Sequence, residues 1–363
     1  MKTIIICPRT PRKNFGGLEN YTMRMAAKLI MENDEVAVFT TSTEPGSYNH
    51  NGVTIREFPV FAPNESYYFS LEAFNALKKT DANIIHSVGY NNLLTYAALL
   101  AKKPSQKLVI SINLSGEPPF FRKILNFFYD IAVNFFARRI DAVICVGNYE
   151  LQNFYKRLKV GKEKFSVIPM GINVEEIRKV KAGKKQDYIF SAGRFVKVKE
   201  FHNLIPAFAM LAKEKPNLKL MLMGSGPLEG ELKKIAFEQG VSDKVIFEKP
   251  VPLERVSELH KKMKESLMFV NLVDCGYEGI ISIEAIACEI PVLLCDSKGV
   301  LEFVKKGYAQ AIKNPNDHEE IMEKMKEMLE NLSKYTPKNP KIYSWEEVTQ
   351  KTYDWYKGLL KAK

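Results

Sequence analysis

The chain has 363 residues, which exceeds one ordinary hydrophobic core and predicts two domains. Hydrophobic residues make up 46% and charged residues 26% of the sequence, which excludes a disordered or low-complexity protein. The formal net charge is +11, and the N-terminal half carries the larger share of the excess. Such surfaces favour phosphorylated ligands, anionic membranes or nucleic acid, although they also serve solubility alone.

Cysteine usage and the N-terminus indicate the compartment. We expect reduced, buried thiols, no zinc site and a cytosolic location, because no CxxC pair occurs. The apolar run at the N-terminus is too short for a signal peptide and is interpreted as a first strand. No apolar run reaches the ~20 residues of a spanning helix, so we expect a protein that touches membranes without crossing them. The cysteines are Cys7, Cys145, Cys275, Cys288 and Cys295.

Short β-branched runs alternate with helical patterns through the first half of the chain, which is typical of βαβ units and a mainly parallel sheet. Amphipathic helices are predicted between most strands, for example over Leu18–Met31 and Asn91–Lys102. The predicted strands are Thr3–Cys7, Glu35–Thr41, Val53–Phe58, Asn83–Ser87, Lys107–Ile112 and Asp141–Val146.

The alternation pauses over Pro169–Gln186, where two glycines and a lysine-rich run predict a link between two domains. It then restarts with a second set of strands and helices. The second set of predicted strands is Tyr188–Ala192, Leu218–Gly224, Lys244–Phe247, Leu267–Leu272 and Pro291–Cys295. The helices predicted between them are His202–Lys213, Glu229–Gln239 and Leu253–Lys264.

These patterns predict an α/β fold of two Rossmann-like domains, each with a doubly wound parallel sheet, and a cleft between them. Doubly wound sheets bind ligands at the carboxyl ends of their strands. The predicted first domain covers residues 1–168 and the second covers residues 169–343. The last helix, within residues 344–363, is rich in aromatic residues and is predicted to pack back on the first domain.

The loop after the first strand lacks the GxGxxG fingerprint of a dinucleotide site. It does contain Gly16 and Gly17 just before a helix start. Two glycines let a ligand approach the backbone, and a helix N-terminus favours an anion. The pair also fits a simple tight turn.

Two cations follow the strand that opens the second domain. Arg194 offers forked donors and Lys199 a point charge, so together they suit a diphosphate. Taken alone, they would be ordinary surface cations.

Glycine-rich and helical segments supply the context. The sequence GSGP begins at Gly224, after the next strand. Further on, the free amides of Ile280 and Ile281 at a helix start can bind phosphate. Glu284 lies one turn later and can accept both hydroxyls of a ribose.

An ordered set of short motifs extends over almost the whole chain. The motifs are GGLE at Gly16–Glu19, VIPMGIN at Val167–Asn173, the pair Arg194 and Lys199, GSGP from Gly224, EAIACEIPV from Glu284 and SWEEV from Ser344. Each is common alone, but the ordered set resembles the retaining glycosyltransferases of the GT-B fold, the group 1 family that includes sucrose synthase and bacterial α-mannosyltransferases.

The resemblance implies roles for these residues. Arg194 and Lys199 would bind the donor diphosphate, Ile280 and Ile281 would donate amides to it, and Glu284 would bind the ribose. No metal ion and no other cofactor is expected, because these groups stabilise the charge of the leaving diphosphate. The resemblance also implies that Gly17 lets the first domain close over the donor and that the base lies near Lys249–Val251. Donor contacts are thus implied for Gly16, Gly17, Gly224, Lys249 and Val251.

Two family positions differ in this chain. The family has two glutamates separated by seven residues, and counting back from Glu284 without a gap reaches Gly276. A two-residue gap aligns Glu278 instead, which makes Glu278 the third catalytic candidate beside the two cations. Where the family often has a histidine facing the donor sugar, this chain has Asn113, whose amide cannot act as acid or base. His86 is a substitute candidate on the acceptor side, and a structural histidine is the alternative.

The segment Pro118–Arg139 mixes many aromatic residues with aliphatic ones and has basic residues at its ends. Such a helix can rest in a membrane interface, although a buried helix would look similar. We therefore expect a glycan or lipid-linked acceptor and a cytoplasmic protein at the inner face of an anionic membrane.

The expected activity is retaining transfer of a hexose from a nucleoside-diphosphate sugar. A sugar-nucleotide epimerase of the same architecture is an alternative, but it would need acid and base groups around the sugar that the sequence does not locate. Product analysis separates the two, since an epimerase needs no acceptor. A basic nucleic-acid-binding protein is a second alternative, and the basic stripe with interleaved aromatics that it would show is not found. The expected partners therefore exclude nucleic acid.

Overall fold

The computed structural model describes residues 1–10, 17–61, 67–112, 120–273, 279–296 and 301–361. These residues form two compact units. The first takes the chain up to Gly171 together with Tyr343–Lys363, and the second takes Ile172–Ile342. The change of unit after Gly171 lies within the segment that the sequence predicts as a link. No helix of the described residues has the length and apolar content required to cross a bilayer.

The first unit is built on an eight-stranded sheet flanked by helices. Its strands are β1 (Lys2–Ile6), β2 (Glu35–Ser42), β3 (Gly46–His50), β4 (Val53–Pro59), β5 (Ile84–Val88), β6 (Lys107–Ile112), β7 (Ala142–Cys145) and β8 (Phe165–Val167). Its helices before residue 171 are α1 (Gly17–Met31), α2 (Leu71–Lys79), α3 (Leu93–Ala101), α4 (Phe120–Phe135) and α5 (Asn148–Arg157). The strand order is β3-β4-β2-β1-β5-β6-β7-β8, with β3 antiparallel to β4 and the other pairs parallel.

The second unit has a six-stranded parallel sheet in the order β11-β10-β9-β12-β13-β14. The order reverses direction between β9 and β12, which is the switch point of a doubly wound sheet. Its strands are β9 (Tyr188–Ala192), β10 (Lys219–Met223), β11 (Val245–Glu248), β12 (Met268–Asn271), β13 (Val292–Cys295) and β14 (Gln310–Ile312). Its helices are α6 (Val174–Lys179), α7 (Phe201–Glu214), α8 (Glu229–Glu238), α9 (Val256–Glu265), α10 (Ile280–Ala287), α11 (Leu301–Lys305), α12 (His318–Glu330) and α13 (Leu332–Tyr335).

The prediction of two doubly wound parallel sheets is confirmed. Strands such as β1 and β9 are buried on both faces, which is why they appear as continuous apolar runs in the sequence. One segment differs from its prediction, because Pro169–Gln186 was predicted only as a link and contains helix α6. Six residues are too few to show helical periodicity, but Val174 and Ile177 are buried and α6 packs on α9 and α10.

The cysteines within the described residues are buried and unpaired. Burial raises the pKa of the Cys7 thiol and of the Cys288 thiol to about 12. It also raises the pKa of Cys145. These thiols are therefore protonated at neutral pH and act as small apolar side chains. Cys275 lies outside the described residues.

The last helix, α14 (Trp345–Lys361), packs against α1 in the first unit. Its Tyr356 is fully buried and its hydroxyl is hydrogen-bonded to Nδ1 of His86. The other ring nitrogen of His86, Nε2, lies 2.6 Å from the hydroxyl oxygen of Ser111. Burial lowers the pKa of His86 from 6.5 to about 3, so the imidazole is neutral at physiological pH.

This environment corrects the prediction of His86 as an acceptor-side residue. The side chain has 0% exposure and both nitrogens are engaged by protein hydroxyls. A neutral ring without access to solvent cannot meet an acceptor at this position. His86 instead ties β5 to β6 and to α14, which makes it a structural histidine.

We predict that His86 makes the stability of the protein depend on pH. The folded-state pKa is depressed, so below about pH 6.5 the unfolded chain binds a proton that the folded chain refuses until about pH 3. Stability is therefore present above pH 6.5 and is lost as the pH falls toward 3, by up to roughly 1.4 kcal/mol per pH unit. Urea unfolding across this range should show the stability difference between wild type and His86→Gln shrinking as the pH falls.

The control is His50→Gln, because His50 is exposed and its removal should leave the pH dependence unchanged. A wild-type to His86→Gln difference that is constant with pH would contradict the assignment of a buried neutral imidazole.

Candidate functional site

The candidate site lies at the carboxyl edge of the second sheet, where β9 and β12 diverge. The ladder between these strands ends at the pair Phe190 and Phe269. Beyond it, the Ser191 hydroxyl donates to the carbonyl oxygen of Val270 over 2.6 Å. A side chain thus takes the place of the backbone ladder at the switch point. Doubly wound sheets bind ligands in the crevice that forms there.

Hydrogen bonds of the sheet type continue past the strand ends into the neighbouring loops. The amide of Gly193 donates to the carbonyl of Met223 over 3.0 Å, and the amide of Gly224 donates to that of Glu248 over 2.9 Å. One step further, the amide of Phe195 donates to the carbonyl of Ser225 over 2.9 Å. The loop after β9 is therefore fixed by its backbone to the loop after β10.

Close approach of these backbones explains the sequence GSGP. A Cβ atom at Gly224 would lie 2.0 Å from the carbonyl oxygen of Gly193. A Cβ atom at Gly226 would lie 2.5 Å from the carbonyl oxygen of Phe195. Gly224 was predicted as a donor contact, and the structure shows it buried against the loop that carries the two candidate cations.

Arg194 stands between the two fixed residues of that loop. Its side chain is exposed and forms no ion pair or hydrogen bond with any described residue. Lys199 ends a short 3-10 turn, Lys197–Lys199, and is partly buried. Its Cε atom lies 3.4 Å from the Cβ position of Gly193, so the lysine stem covers the start of the loop. Both predicted cations are therefore on one loop at the switch point.

Helix α10 begins on the other side of the switch point, directly after Gly279. Within the described residues, the amides of Ile280 and Ile281 have no hydrogen-bond acceptor. The helix start is held in place because the Asn271 amide nitrogen donates to the Ser282 hydroxyl over 2.8 Å. The end of β12 thus positions two free amides and the positive end of the helix dipole.

Glu284 lies one turn into α10 and is mostly buried, with 17% of its side chain exposed. Its Oε1 atom is 3.4 Å from Nε2 of His260, a residue of α9 that is almost fully buried. That Nε2 atom has no hydrogen-bond partner among the described residues. A buried imidazole beside the carboxylate limits the orientations that Glu284 can adopt.

The remaining predicted residues are placed less closely. Lys249 is exposed and Val251 partly exposed, and both follow β11 at the same edge of the second sheet. Gly17 is the first residue of α1 in the first unit. Three predicted residues lie outside the described part of the chain: Gly16, Asn113 and Glu278. Across the described ranges, no cluster of three or more His, Cys, Asp or Glu side chains is arranged to hold a metal ion.

The sequence analysis did not identify His260, Asn271 and Ser282. Asn271 ends an apolar strand and Ser282 interrupts an apolar helix, and both are buried. Buried polar residues that need partners were a usable signal for this pair. His260 gives no such signal, because a histidine among the lysines of α9 is indistinguishable from a solvent-facing one.

We predict that Gly224→Ala destabilises the second unit and weakens ligand binding at the site. The added methyl group would overlap backbone atoms and force the loops apart, which costs about 1–3 kcal/mol. Urea unfolding measures the loss. The control is Gly230→Ala in α8, where a Cβ atom meets nothing within 4 Å and should stabilise by about 0.5–1 kcal/mol. Equal effects of the two substitutions would contradict the close backbone contact.

Two family models match the chain. The Glycosyltransferase Family 4 model matches residues 15–176, and the Glycosyl transferases group 1 model matches residues 173–341. The second match contains every candidate residue of the site described above. The two matches together run from residue 15 to residue 341.

Similarity to individual proteins extends over nearly the whole chain. A phosphatidylinositol N-acetylglucosaminyltransferase of Arabidopsis thaliana is 22% identical over 371 residues, covering 96% of this chain and 80% of that protein. Sucrose-phosphate synthase of Thermosynechococcus elongatus has a TM-score of 0.75 at 19% identity, with 100% of both chains covered. Anabaena HepE, solved with UDP and glucose, has a TM-score of 0.73 at 15% identity, covering 98% of this chain and 99% of that one. These structures establish the GT-B fold, and with the family matches they show that the chain belongs to the group 1 glycosyltransferases and is a transferase enzyme.

Proposed function

We propose that the protein is a retaining glycosyltransferase that moves a hexose from a nucleoside-diphosphate sugar to a glycan or lipid-linked acceptor. The observation that carries the proposal is the exposed Arg194, which has no partner among the described residues and stands on a fixed loop at the switch point. Across that switch point, α10 presents the free amides of Ile280 and Ile281. A diphosphate is the ligand that both groups complement.

The donor is proposed to bind along the carboxyl edge of the second sheet. Arg194 and Lys199 contact the diphosphate from the β9 side, and the amides of Ile280 and Ile281 contact it from the β12 side. Glu284 accepts the ribose hydroxyls one turn further into α10. The base lies towards Lys249 and Val251, beyond the end of β11. HepE, with the same fold, was solved with UDP and glucose, which supports a nucleoside diphosphate here.

The proposed reaction breaks the bond between the anomeric carbon and the diphosphate oxygen. The electron pair leaves with the diphosphate, where the cations and the helix amides stabilise the growing charge. The acceptor oxygen forms the new bond on the same face of the sugar, and its proton passes to the leaving phosphate. Because protein groups supply the positive charge, the proposal needs no metal ion. Glu278 is the proposed contact to the donor sugar.

The proposed acceptor is lipid-linked, and the proposed location is peripheral, at the cytoplasmic face of an anionic membrane. The Arabidopsis relative is named for action on phosphatidylinositol, which supports a lipid acceptor. The proposal assigns the basic surface to phosphorylated ligands and not to nucleic acid. Binding assays with duplex and single-stranded nucleic acid at varied salt test that choice.

We predict that Arg194→Ala weakens donor binding or turnover by about tenfold to a hundredfold. Each charge-assisted contact contributes roughly 1.5–3 kcal/mol, and ~1.4 kcal/mol is a factor of ten. The melting temperature should hardly change, because an exposed arginine without an ion pair contributes little to stability. Donor kinetics are measured with the nucleotide sugar that most raises the melting temperature in a screen of UDP-, GDP- and ADP-sugars.

Arg255→Ala is the matched control, since Arg255 is an exposed arginine of the same unit paired with Glu258. Unaltered kinetics of Arg194→Ala would place the phosphate site elsewhere. Turnover that collapses when EDTA is added would overturn the metal-independent mechanism.

We also predict that His260 positions Glu284 for the ribose. His260→Asn should raise the KM for the donor about fivefold with little change in kcat, because one orienting contact of about 1 kcal/mol acts equally on bound donor and transition state. The same substitution should have no effect on a donor whose ribose lacks its 2′- and 3′-hydroxyls. A KM increase that persists with that donor would show that His260 acts only through folding, and the exposed His50→Asn is the control.

A further inference from the structure

Helix α4 in the first unit carries an exposed apolar face. Ile124, Phe128, Ile131 and Phe135 recur at three- and four-residue spacings and therefore lie on one side of the helix. Their exposed fractions run from 42% at Ile124 to 83% at Phe135. Phe127 and Leu125 widen this face on its two flanks. We call this surface the α4 stripe: Ile124, Leu125, Phe127, Phe128, Ile131 and Phe135.

The opposite side of α4 is anchored, so the helix cannot turn the stripe inwards. Tyr129 and Val133 are buried in the core of the first unit. The Asp130 carboxylate accepts from the Arg157 guanidinium at 2.9 Å and from the Tyr90 hydroxyl at 2.8 Å. Rotating the stripe into the core would break this buried network and expose the two core residues. The apolar face is therefore a fixed feature of the surface.

Cations border the stripe at both ends. Lys123 is exposed in the first turn of α4, and Arg138 is exposed just after its end. Lys159 is also exposed, and its backbone amide donates to the Asn134 side chain at 2.7 Å, which places it beside the last turn. The carboxylate of the helix, Asp130, is turned away and paired with Arg157. An apolar face with cations at its edge complements anionic lipid headgroups above an acyl interior.

Charge also argues against the stripe as a contact between two copies of the chain. A two-fold contact brings the same patch of each copy together. Antiparallel helices would then place Lys123 of one copy near Arg138 and Lys159 of the other. Parallel helices would place like ends together, and both arrangements bring cation to cation. A bilayer with anionic lipids avoids this repulsion.

We propose that the α4 stripe inserts into the interface of an anionic lipid bilayer, with α4 lying in the membrane plane. Aromatic and aliphatic side chains enter the boundary between headgroups and acyl chains, while Arg138 and Lys159 contact lipid phosphates. This would bring the first unit to the headgroup of a lipid-linked acceptor, and in that purpose alone it rests on the proposed function. The binding itself needs neither donor nor acceptor, so the two proposals fail separately.

The test is flotation of the full chain with vesicles of equimolar phosphatidylglycerol and phosphatidylcholine, without nucleotide sugar. Wild type should float with these vesicles and bind pure phosphatidylcholine several-fold more weakly. The double variant Phe128→Asn/Phe135→Asn should bind at least about tenfold more weakly, because it removes two apolar anchors. Arg138→Gln/Lys159→Gln should lose about fivefold per charge on anionic vesicles only. High salt should weaken wild-type binding, since the screening length falls from about 10 Å at 0.1 M to about 3 Å at 1 M.

Phe237→Asn is the matched control, because Phe237 is a single exposed phenylalanine on α8 with 76% exposure. Its vesicle binding should equal that of wild type, and all variants should keep the wild-type melting temperature. No flotation at low salt, or equal flotation of the Phe128→Asn/Phe135→Asn variant, overturns the proposal. A wild-type dimer that this variant converts to a monomer also overturns it, and identifies the stripe as a contact between copies.

Discussion

Contact between two backbones after β9 and β10 determines the geometry of the candidate site. The carbonyl oxygen of Gly193 occupies the space that a side chain at Gly224 would need. The loop can therefore donate its amides to its neighbour, which holds Arg194 at a constant position while its side chain stays without a partner among the described residues. Electrostatic catalysis depends on charges that are in place before the reaction, since their reorganisation would otherwise raise the barrier.

The parts of the fold that could be predicted are those whose burial is visible along the chain. Strands such as β6 and β9 have the bounds that their apolar runs predict, because both faces are covered by helices. Strand β3 was missed, since GSYNH is mostly exposed and pairs only as an antiparallel edge strand. Helix α6 was missed because its six residues show no period, although packing on α9 and α10 stabilises it.

The candidate site could be predicted where chemistry follows from position at a strand end. Arg194, Lys199 and the amides of α10 are of that kind, since parallel strands place their carboxyl ends at one edge. Contacts between residues distant in sequence could not be predicted. His86 meets a hydroxyl 270 residues away, and that partner decides that the ring is structural. His260 likewise gains its relation to Glu284 only when α9 and α10 pack together.

The distribution of positive charge is more informative than its sum. Many lysines of the chain pair with a carboxylate one helical turn away, as Lys28 does with Glu32 and Lys233 with Glu229. Such pairs leave little net field. Arg194 and Arg138 differ, since neither has an ion-pair partner among the described residues. An exposed cation without a partner keeps its full field for an anion from outside the protein, and the two arginines stand in different chemical settings. Arg194 has a fixed backbone and helix amides across the switch point, a setting for a small, doubly charged ligand. Arg138 borders the apolar α4 stripe, a setting for charges spread over an apolar surface.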